Sequence, residues 1–438
     1  MEKKNEGFGP IRVSSEIGRL RNVIIHRPGI ESERVVPKKA KEWLYEDIVK
    51  LQEMRKEHDQ FTNILRYFLG PDSVFESQKL LKEILDDPNA GKNLVISICA
   101  IEECTQVTQE YLLGMESETL AETLLSGFIE KTNLTIFAPI PNFVFTRDIT
   151  AVVNEYIILS KPAKSARIRE ALIAKYIFRY HPYFVKSKQD IIELTNDEAY
   201  FLLNEEDREK EKVTIEGGDI MVLDKNRLLI GCGERTSPHA VKKIVSELFA
   251  KKSVRRIGCI YIPSDRSSMH LDTICTQISK NEYAVYGPLV YNSGRDSKDL
   301  RVEEYARNQD DEVSQHNYSS FQELLESINP GSEFIACGGG KSPYDVREQW
   351  TDGCNFLAIA PGVIIGYDRN DMTTNALTNK GYKPHKAEGL LEQFRKGEED
   401  PEEIIKKGKT LILIPSAELS RARGGSHCMS LPLLRDEI

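Results

Sequence analysis

Short apolar runs that arrive in pairs, each pair leading into a helical pattern and a further strand, constrain this chain more than any other feature. They begin after Pro139-Ile-Pro141. The first pair is Phe143 to Val153 with Tyr156 to Leu159; the second runs from Ile220-Met-Val-Leu223 to Leu228-Leu-Ile230 through Asp224-Lys-Asn-Arg227. Behind the second pair come a helix from Pro238 to Phe249 and a strand from Ile257 to Ile262. A third pair is Thr273 to Ile278 with Tyr283-Ala-Val-Tyr286, and a fourth is Phe356-Leu-Ala-Ile-Ala360 with Val363-Ile-Ile365. The last unit ends on Leu411-Ile-Leu-Ile414 and the stretch around Cys428. Apolar runs of roughly four to eight residues bounded by turn residues read as buried strands. The ββαβ order recurs about five times without obvious identity between copies. Units that cannot bury their apolar faces alone pack against one another, so the expected fold is an α/β ring of repeated modules.

Ahead of these modules, Ser15-Glu-Ile-Gly-Arg-Leu-Arg-Asn-Val-Ile-Ile-His-Arg-Pro28 ends in a buried-type strand, Val23-Ile-Ile25, stopped by Pro28-Gly29. From Lys38 to Phe68 the residues Leu44, Ile48, Leu51, Phe61, Ile64, Leu65 and Phe68 recur at helical steps, and Gly70-Pro71 ends that helix. Between Ser77 and Thr132 lie three further helical groups, Leu80 to Leu85, Val107 to Leu112 and Leu120 to Phe128. No strand pattern of comparable length interrupts them. They predict an all-helical insertion over residues 76–137, with residues 1–75 and 138–438 forming the α/β domain. Two charged runs, 204–212 and 396–403, read as solvated loops or helix faces.

With 438 residues the chain can bury a substantial core. No run approaches the ~18 to 20 apolar residues of a membrane helix, and Met1-Glu-Lys-Lys-Asn-Glu6 leads into no apolar signal-peptide core. The expectation is a cytoplasmic protein. Eight cysteines with no C-x-x-C pair are not a disulfide framework; free thiols in a reducing compartment are the simplest account. Net charge is -9, and no basic stripe is interleaved with aromatics, which argues against a nucleic-acid partner.

Polar residues fall at a repeated place in this plan. Asp148, Asp219, Asp272 and Cys428 each stand just ahead of a strand. In a ring of modules such positions at one end converge on the axis, so several units would contribute to one central pocket. Cys428 follows Gly424-Gly425 and His427, and precedes an apolar run ending at Pro432. Paired glycines allow close approach of a ligand, and Arg423 with His427 would favour the thiolate. The bland alternative is a small buried apolar cysteine. In His270-Leu-Asp272 the i, i+2 spacing puts both side chains on one face of an extended segment, where a carboxylate could fix the tautomer of an acid/base histidine. A structural histidine is the competing reading. Glu216-Gly-Gly-Asp219 is either a solvated turn or a close approach of backbone to something bound. The Cys, His and Asp spacings match no standard zinc pattern, so no metal is expected. Carboxylates suit a planar cation through paired hydrogen bonds, and a thiolate beside them could attack its central carbon. That combination describes chemistry on a guanidinium.

In order along the chain, Pro141-Asn-Phe-Val-Phe-Thr-Arg-Asp148, Glu216-Gly-Gly-Asp219, Gly233-Glu-Arg-Thr236, Met269-His-Leu-Asp272, Glu348-Gln-Trp350, Gly366-Tyr-Asp-Arg-Asn370 and Arg423-Gly-Gly-Ser-His-Cys428 resemble the arginine deiminases of the guanidine-modifying superfamily. The resemblance implies a pentein-like, five-bladed α/β propeller of ββαβ modules with an all-helical insertion. It implies hydrolysis of L-arginine to L-citrulline and ammonia, without cofactor, in a homo-oligomer (dimer or tetramer). Cys428 would form a thiouronium adduct, and His270, hydrogen-bonded to Glu216, would protonate departing ammonia and then activate water. Asp148 and Asp272 would grip the guanidinium. Arg167, Arg235 and Arg423 match positions that meet the substrate carboxylate, Asn142 and Phe145 those near its α-amino end and stem, and Asp219 and Glu16 supporting acids. The segment 380–409 is longer and more charged than in compact members. Agmatine deiminase, an amidinotransferase and a non-catalytic arginine-binding protein stand as alternatives.

Overall fold

A computed structural model describes residues 10–187, 189–296 and 300–438. The start of the chain, Met1 to Glu6, on which the signal-peptide reading rests, lies outside them. Among the described residues, five sheets of three or more strands are built on one plan, an antiparallel pair whose second strand also pairs in parallel with a strand that returns after a helix. In the first, Thr150–Val153 pairs with Tyr156–Leu159, and after the helix Ile168–Tyr180 the chain returns as Asp190–Glu193. In the second, Ile220–Asp224, Arg227–Cys232 and Arg256–Tyr261 surround the helix Pro238–Ala250, and the hairpin Arg301–Arg307 with Val313–Tyr318 extends the sheet. The third joins Cys275–Ser279, Glu282–Val285 and Glu333–Ala336; the fourth joins Leu357–Ala360, Val363–Tyr367 and Thr410–Ile414. The charged segment 380–409 belongs to this fourth unit, as the edge strand Lys383–Lys386 and the helices Ala387–Lys396 and Pro401–Lys407.

The fifth sheet corrects the sequence reading. Leu411–Ile414 and the Cys428 stretch do not share a module. The final strand, Leu431–Arg435, instead runs antiparallel to Leu20–Ile25, which pairs in parallel with Val74–Glu76 beyond the helix Leu51–Leu69. Both ends of the chain therefore build one unit. Arg435 locks it: fully buried, its guanidinium donates to the carbonyls of Gly18 (2.7 Å) and Ala358 (2.8 Å).

Two other elements are shorter than their patterns suggested. The helix expected from Lys38 starts only at Leu51, because the preceding turns end at Leu44 in the left-handed region (φ 58°). The strand expected from Phe143 starts at Thr150, behind the tight turn Pro141–Val144 and the one-turn helix Thr146–Ile149. Proline at the first helical position suits such a turn, and the Thr146 hydroxyl donates to the Ile24 carbonyl (3.2 Å).

Within the expected 76–137 insertion lie the helices Ser77–Leu85, Pro88–Ile101, Gln106–Leu113 and Ser117–Ser126, but it is not all-helical: Phe128–Ile129 pairs antiparallel with Leu134–Thr135. Asp87 caps the second through the Asn89 and Ala90 N–H groups, and Thr105 caps the third. Leu81, Ile84, Leu94, Ile98 and Leu124 bury against Ile173 and Ile177, so these helices share one continuous core with the first module. Each such side chain contributes about 1.5–3 kcal/mol of burial. Of the group Val107, Tyr111 and Leu112, only Leu112 is buried. The charged run 204–212 holds an exposed helix, Glu205–Glu211. No described helix is long and apolar enough to cross a membrane.

Candidate active site

Each of the first three hairpins is preceded by a single helical turn, and that turn carries the polar residue expected ahead of its strand. Asp148 lies on Thr146–Ile149, Asp219 on Gly217–Asp219 and Asp272 on Leu271–Thr273. Cys428 lies in the turn before Leu431–Arg435. The extended geometry expected for His270-Leu-Asp272 is thus replaced by a turn from Leu271 onward, which sends the two side chains to different partners. Close packing of the turns requires glycine: a Cβ on Gly218 would lie 2.8 Å from the His270 ring and 2.9 Å from Asp148 Oδ1.

A cavity of about 30 Å³ lies where the turns meet. Asn142, Phe145, Asp148, Arg167, Arg235, His270, Arg423 and Cys428 all line it, together with Leu44, Glu46, Met269, Thr273 and Ala422. Glu216 and Asp272 stand immediately behind, bonded to His270 and Cys428. Asp219 and Glu16 lie deeper and do not line the cavity. Asp219 accepts from the Thr236 hydroxyl (2.6 Å) and the Leu271 N–H (3.0 Å). Glu16 pairs with Arg147 (3.0 Å).

The thiol of Cys428 points at Asp272 Oδ2 (3.4 Å). Burial, followed by the charges of Asp272, Asp148 and Asp352, pushes this thiol well above the usual cysteine range. His427 does not favour the thiolate as its sequence position suggested. Its ring instead bridges Asp272 Oδ2 (2.8 Å) and Glu16 Oε2 (3.3 Å). Arg423, in the left-handed region (φ 67°), stacks on Trp350 with 3.6 Å from Cζ to the ring centroid, and donates to the Arg266 carbonyl (3.2 Å).

On the other side of the cavity, His270 Nε2 lies 2.9 Å from Glu216 Oε2, and Nδ1 lies 3.8 Å from Asp148 Oδ1. Burial alone would pull the imidazolium down; the charges of Asp148, Asp219 and Glu216, with the Glu216 hydrogen bond, outweigh it and push it up to about 10. Reciprocally, burial would raise Glu216, but the His270 hydrogen bond and the nearby arginines hold it down to about 2. At Asp219 burial outweighs the charge of His270 and the hydrogen bonds from Thr236 and Leu271, and pushes it up to about 7.

Arg167 donates to Asp148 Oδ2 (2.6 Å) and Glu170 Oε2 (2.8 Å), and reaches within 3.6 Å of Glu216. Arg235 lies 3.8 Å from Glu216. The amide of Asn142 donates to the Trp43 carbonyl (2.7 Å). Asp148, Glu216 and His270 bring their ligand-type atoms within 4.8 Å of one another, the only such trio among the described residues. Its fit to a metal ion is poor, since the carboxylates of Asp148 and Glu216 already share the cations of Arg167 and His270, and the imidazole is held protonated. What the site leaves unused is informative. Asp148 Oδ1 and Asp272 Oδ1 are buried acceptors without a partner among the described residues; Arg235 Nε, Arg423 Nε and Arg423 Nη1 are buried donors in the same condition. Unmade hydrogen bonds of this kind are costly. A ligand with a planar cation at one end and a carboxylate at the other would satisfy both sets.

A family model described as arginine deiminase matches residues 106–435. An arginine deiminase of Borreliella afzelii is 33% identical over 460 residues, covering 99% of this chain and 100% of that relative. The chain belongs to the arginine deiminase family. A Bacillus cereus (strain B4264) arginine deiminase is 31% identical over 454 residues, covering 98% of this chain and 99% of its own. Among solved structures, an amidinotransferase of the saxitoxin biosynthetic pathway from Microseira wollei superposes with a TM-score of 0.54 at 12% identity, over 98% of each chain. The N-terminal domain of ArgZ, an arginine dihydrolase of cyanobacteria, gives 0.51 at 14% identity, over 95% of this chain and 98% of that one. At such identities the likeness is one of fold, a mixed α/β architecture shared by this family and those enzymes.

Sequence reasoning missed Asn355, His427 as a bridge between acids, and Arg147. The Asn355 amide holds the backbone of both Cys428 and Asp272. A signal for it existed: Asn355 stands ahead of the first strand of the fourth pair, the place that Asp148, Asp219 and Asp272 occupy in theirs.

Proposed function

We propose that this chain hydrolyses L-arginine to L-citrulline and ammonia through a covalent adduct on Cys428. The observation that carries the reading is the pairing of unpartnered carboxylate oxygens on Asp148 and Asp272 with unpartnered guanidinium N–H groups on Arg235 and Arg423, around a cavity that Cys428 lines. The substrate guanidinium takes the place that Arg167 holds at Asp148, which frees Arg167 to join Arg235 and Arg423 at the carboxylate. Asn142 and Phe145 flank the α-amino end and stem.

The substrate's positive charge offsets the carboxylates that oppose ionisation of Cys428. Sulfur then bonds to the guanidinium carbon, the thiol proton passes to one of its NH2 groups, and that carbon–nitrogen bond breaks to release ammonia and leave the thiouronium cation. His270, protonated in the empty site, is the acid for ammonia; once neutral, it takes a proton from the water that attacks the thiouronium carbon. The carbon–sulfur bond breaks to give citrulline and the thiol. Substrate cation and water become citrulline and ammonium, so charge and atoms balance. Glu216 orients His270, while Asp219 and Glu16 support that layer from behind.

Five sheets on a hairpin–helix–strand plan support the finer architecture, a five-bladed pentein propeller with residues 76–137 inserted. Eight free cysteines support a reducing, cytoplasmic compartment. Subunit association as a dimer or tetramer is tested by sedimentation. Three arginines around the cavity favour a substrate with a carboxylate over agmatine. The deciding experiment is release of citrulline and ammonia from L-arginine by the wild type and by Cys428→Ala. Equal amounts of both products, abolished in the variant, are expected. Arginine binding without citrulline would overturn the reading, and a new guanidino product on adding an acceptor amine would point to amidino transfer.

A further inference from the structure

Between the helix Tyr344–Trp350 and the strand Leu357–Ala360 the chain runs through Thr351-Asp-Gly-Cys-Asn355, whose last side chain is sealed at 1% exposure. A buried carboxamide is costly unless both ends are bonded. Here both are, and to two different parts of the site. Asn355 Oδ1 accepts from the N–H of Cys428 (3.0 Å), and Nδ2 donates to the carbonyl of Asp272 (3.1 Å). The Asn355 carbonyl in turn accepts from the Ser426 hydroxyl (3.3 Å). Gly425 leaves the room: a Cβ there would lie 2.6 Å from Asn355 Oδ1.

We propose that Asn355 is a positioning residue that fixes the separation between the nucleophile, Cys428, and the guanidinium-gripping acid, Asp272. The inference rests on the deiminase reading. One amide ties the backbone of both residues, so the 3.4 Å between Cys428 Sγ and Asp272 Oδ2 is set through a single rigid plane. Asparagine offers a donor and an acceptor at this reach whatever the pH; ionised aspartate keeps the shape but turns an acceptor toward the Asp272 carbonyl.

The test is Asn355→Asp, assayed for citrulline release across pH and for alkylation of Cys428 by iodoacetamide without arginine, followed by peptide mass spectrometry. Near pH 8 kcat is expected to fall roughly 100-fold with KM within about three-fold, because a misplaced nucleophile costs turnover rather than binding. The activity ratio of variant to wild type is expected to rise as pH falls, since the new carboxyl regains a donor toward the Asp272 carbonyl when protonated. The alkylation rate of Cys428 is expected to change several-fold. Wild-type kcat, a flat ratio and unchanged alkylation would overturn the proposal, as would equal losses in kcat/KM and thermal stability with no pH dependence in the ratio. If Asn355→Asp does not fold, Gly425→Ala displaces the same amide from its other side; the same loss confined to kcat is expected, and unchanged turnover overturns the proposal. Absence of citrulline from the wild type would sink the deiminase reading separately, and the alkylation comparison would still decide the role of Asn355.

Discussion

Glu216→Gln tests one of the carboxylates that hold the His270 imidazolium up, beside the larger charge contribution of Asp148. In the native site Glu216 Oε2 sits 2.9 Å from His270 Nε2, and the imidazolium is held up at about 10 against an ordinary 6.5. Glutamine keeps an acceptor at the same place but removes the charge, leaving Asp148 at 3.8 Å and the more distant Asp219. Loss of one adjacent opposite charge in a buried site is worth about one to three pH units, or ~1.4–4 kcal/mol. The variant's imidazolium is therefore expected to titrate at roughly pH 7–9. The assay is a proton–carbon NMR titration of protein labelled on its histidine rings, with His270→Ala identifying one resonance among the eight histidines. Stability carries the same signature. A histidine raised in the folded state contributes stability that is complete below 6.5 and lost as pH rises through about 10. In the variant that decline ends at lower pH. A wild-type His270 titrating near 6.5, or an unchanged titration in Glu216→Gln, would refute the assignment of His270 as the protonated acid of the empty site.

Three further outcomes follow from the same geometry. His427→Ala leaves Asp272 and Glu16 buried without their shared partner and is expected to cost about 3–5 kcal/mol in urea unfolding; a loss below about 1 kcal/mol would show that the bridge carries little. Burial raises Asp219 from 3.8 to about 7, so its contribution to stability is present below 3.8 and lost as pH rises through about 7. Asp219→Asn is expected to flatten that decline in unfolding midpoints measured over this range, and a slope identical to wild type would argue against it. Arg423→Ala removes charged donors worth about 1.5–3 kcal/mol, or roughly 10- to 100-fold in kcat/KM for arginine. If that factor is equally large for agmatine, which lacks a carboxylate, Arg423 does not meet the carboxylate.

What the sequence disclosed depended on how local the signal was. A polar residue at the start of a strand is local: Asp148, Asp272 and Cys428 were recognisable from their own neighbourhoods, and the folded chain brings them to one place. Ring orientation is not local. Nothing around His427 says that its nitrogens face Asp272 and Glu16 rather than the adjacent thiol, because those acids lie 155 and 411 residues away along the chain. Arg167 presents the same difficulty, since its bond to Asp148 depends on how the helix Ile168–Tyr180 packs on the first sheet. Asn355 was missed for another reason. Its position obeyed the rule that found the acids, but an amide carries no charge and drew no attention.

The pairing of Leu20–Ile25 with Leu431–Arg435 explains how the turn that carries Cys428 is held. That turn runs directly into the short strand Leu431–Arg435. Here that strand is pinned on both sides. Leu20–Ile25 pairs with it antiparallel, and the buried Arg435 guanidinium reaches the carbonyls of Gly18 and Ala358. Ahead of it, the Cys428 carbonyl accepts from the Arg147 N–H (3.1 Å), while the Arg147 guanidinium grips Glu16, which also accepts from His427. Residues from the first module, the N-terminal segment and the C-terminal turn therefore close one buried circuit around the thiol. Breaking it at Arg147 with methionine leaves Glu16 with His427 and the Val222 N–H (3.3 Å) but without its guanidinium partner, and both turnover and stability are expected to fall together, by about 3–5 kcal/mol in urea unfolding. This separates the circuit from Asn355, whose replacement is expected to change kcat far more than stability. Equal behaviour of the two variants would mean that the nucleophile is held by the fold as a whole rather than by distinct backbone and side-chain ties.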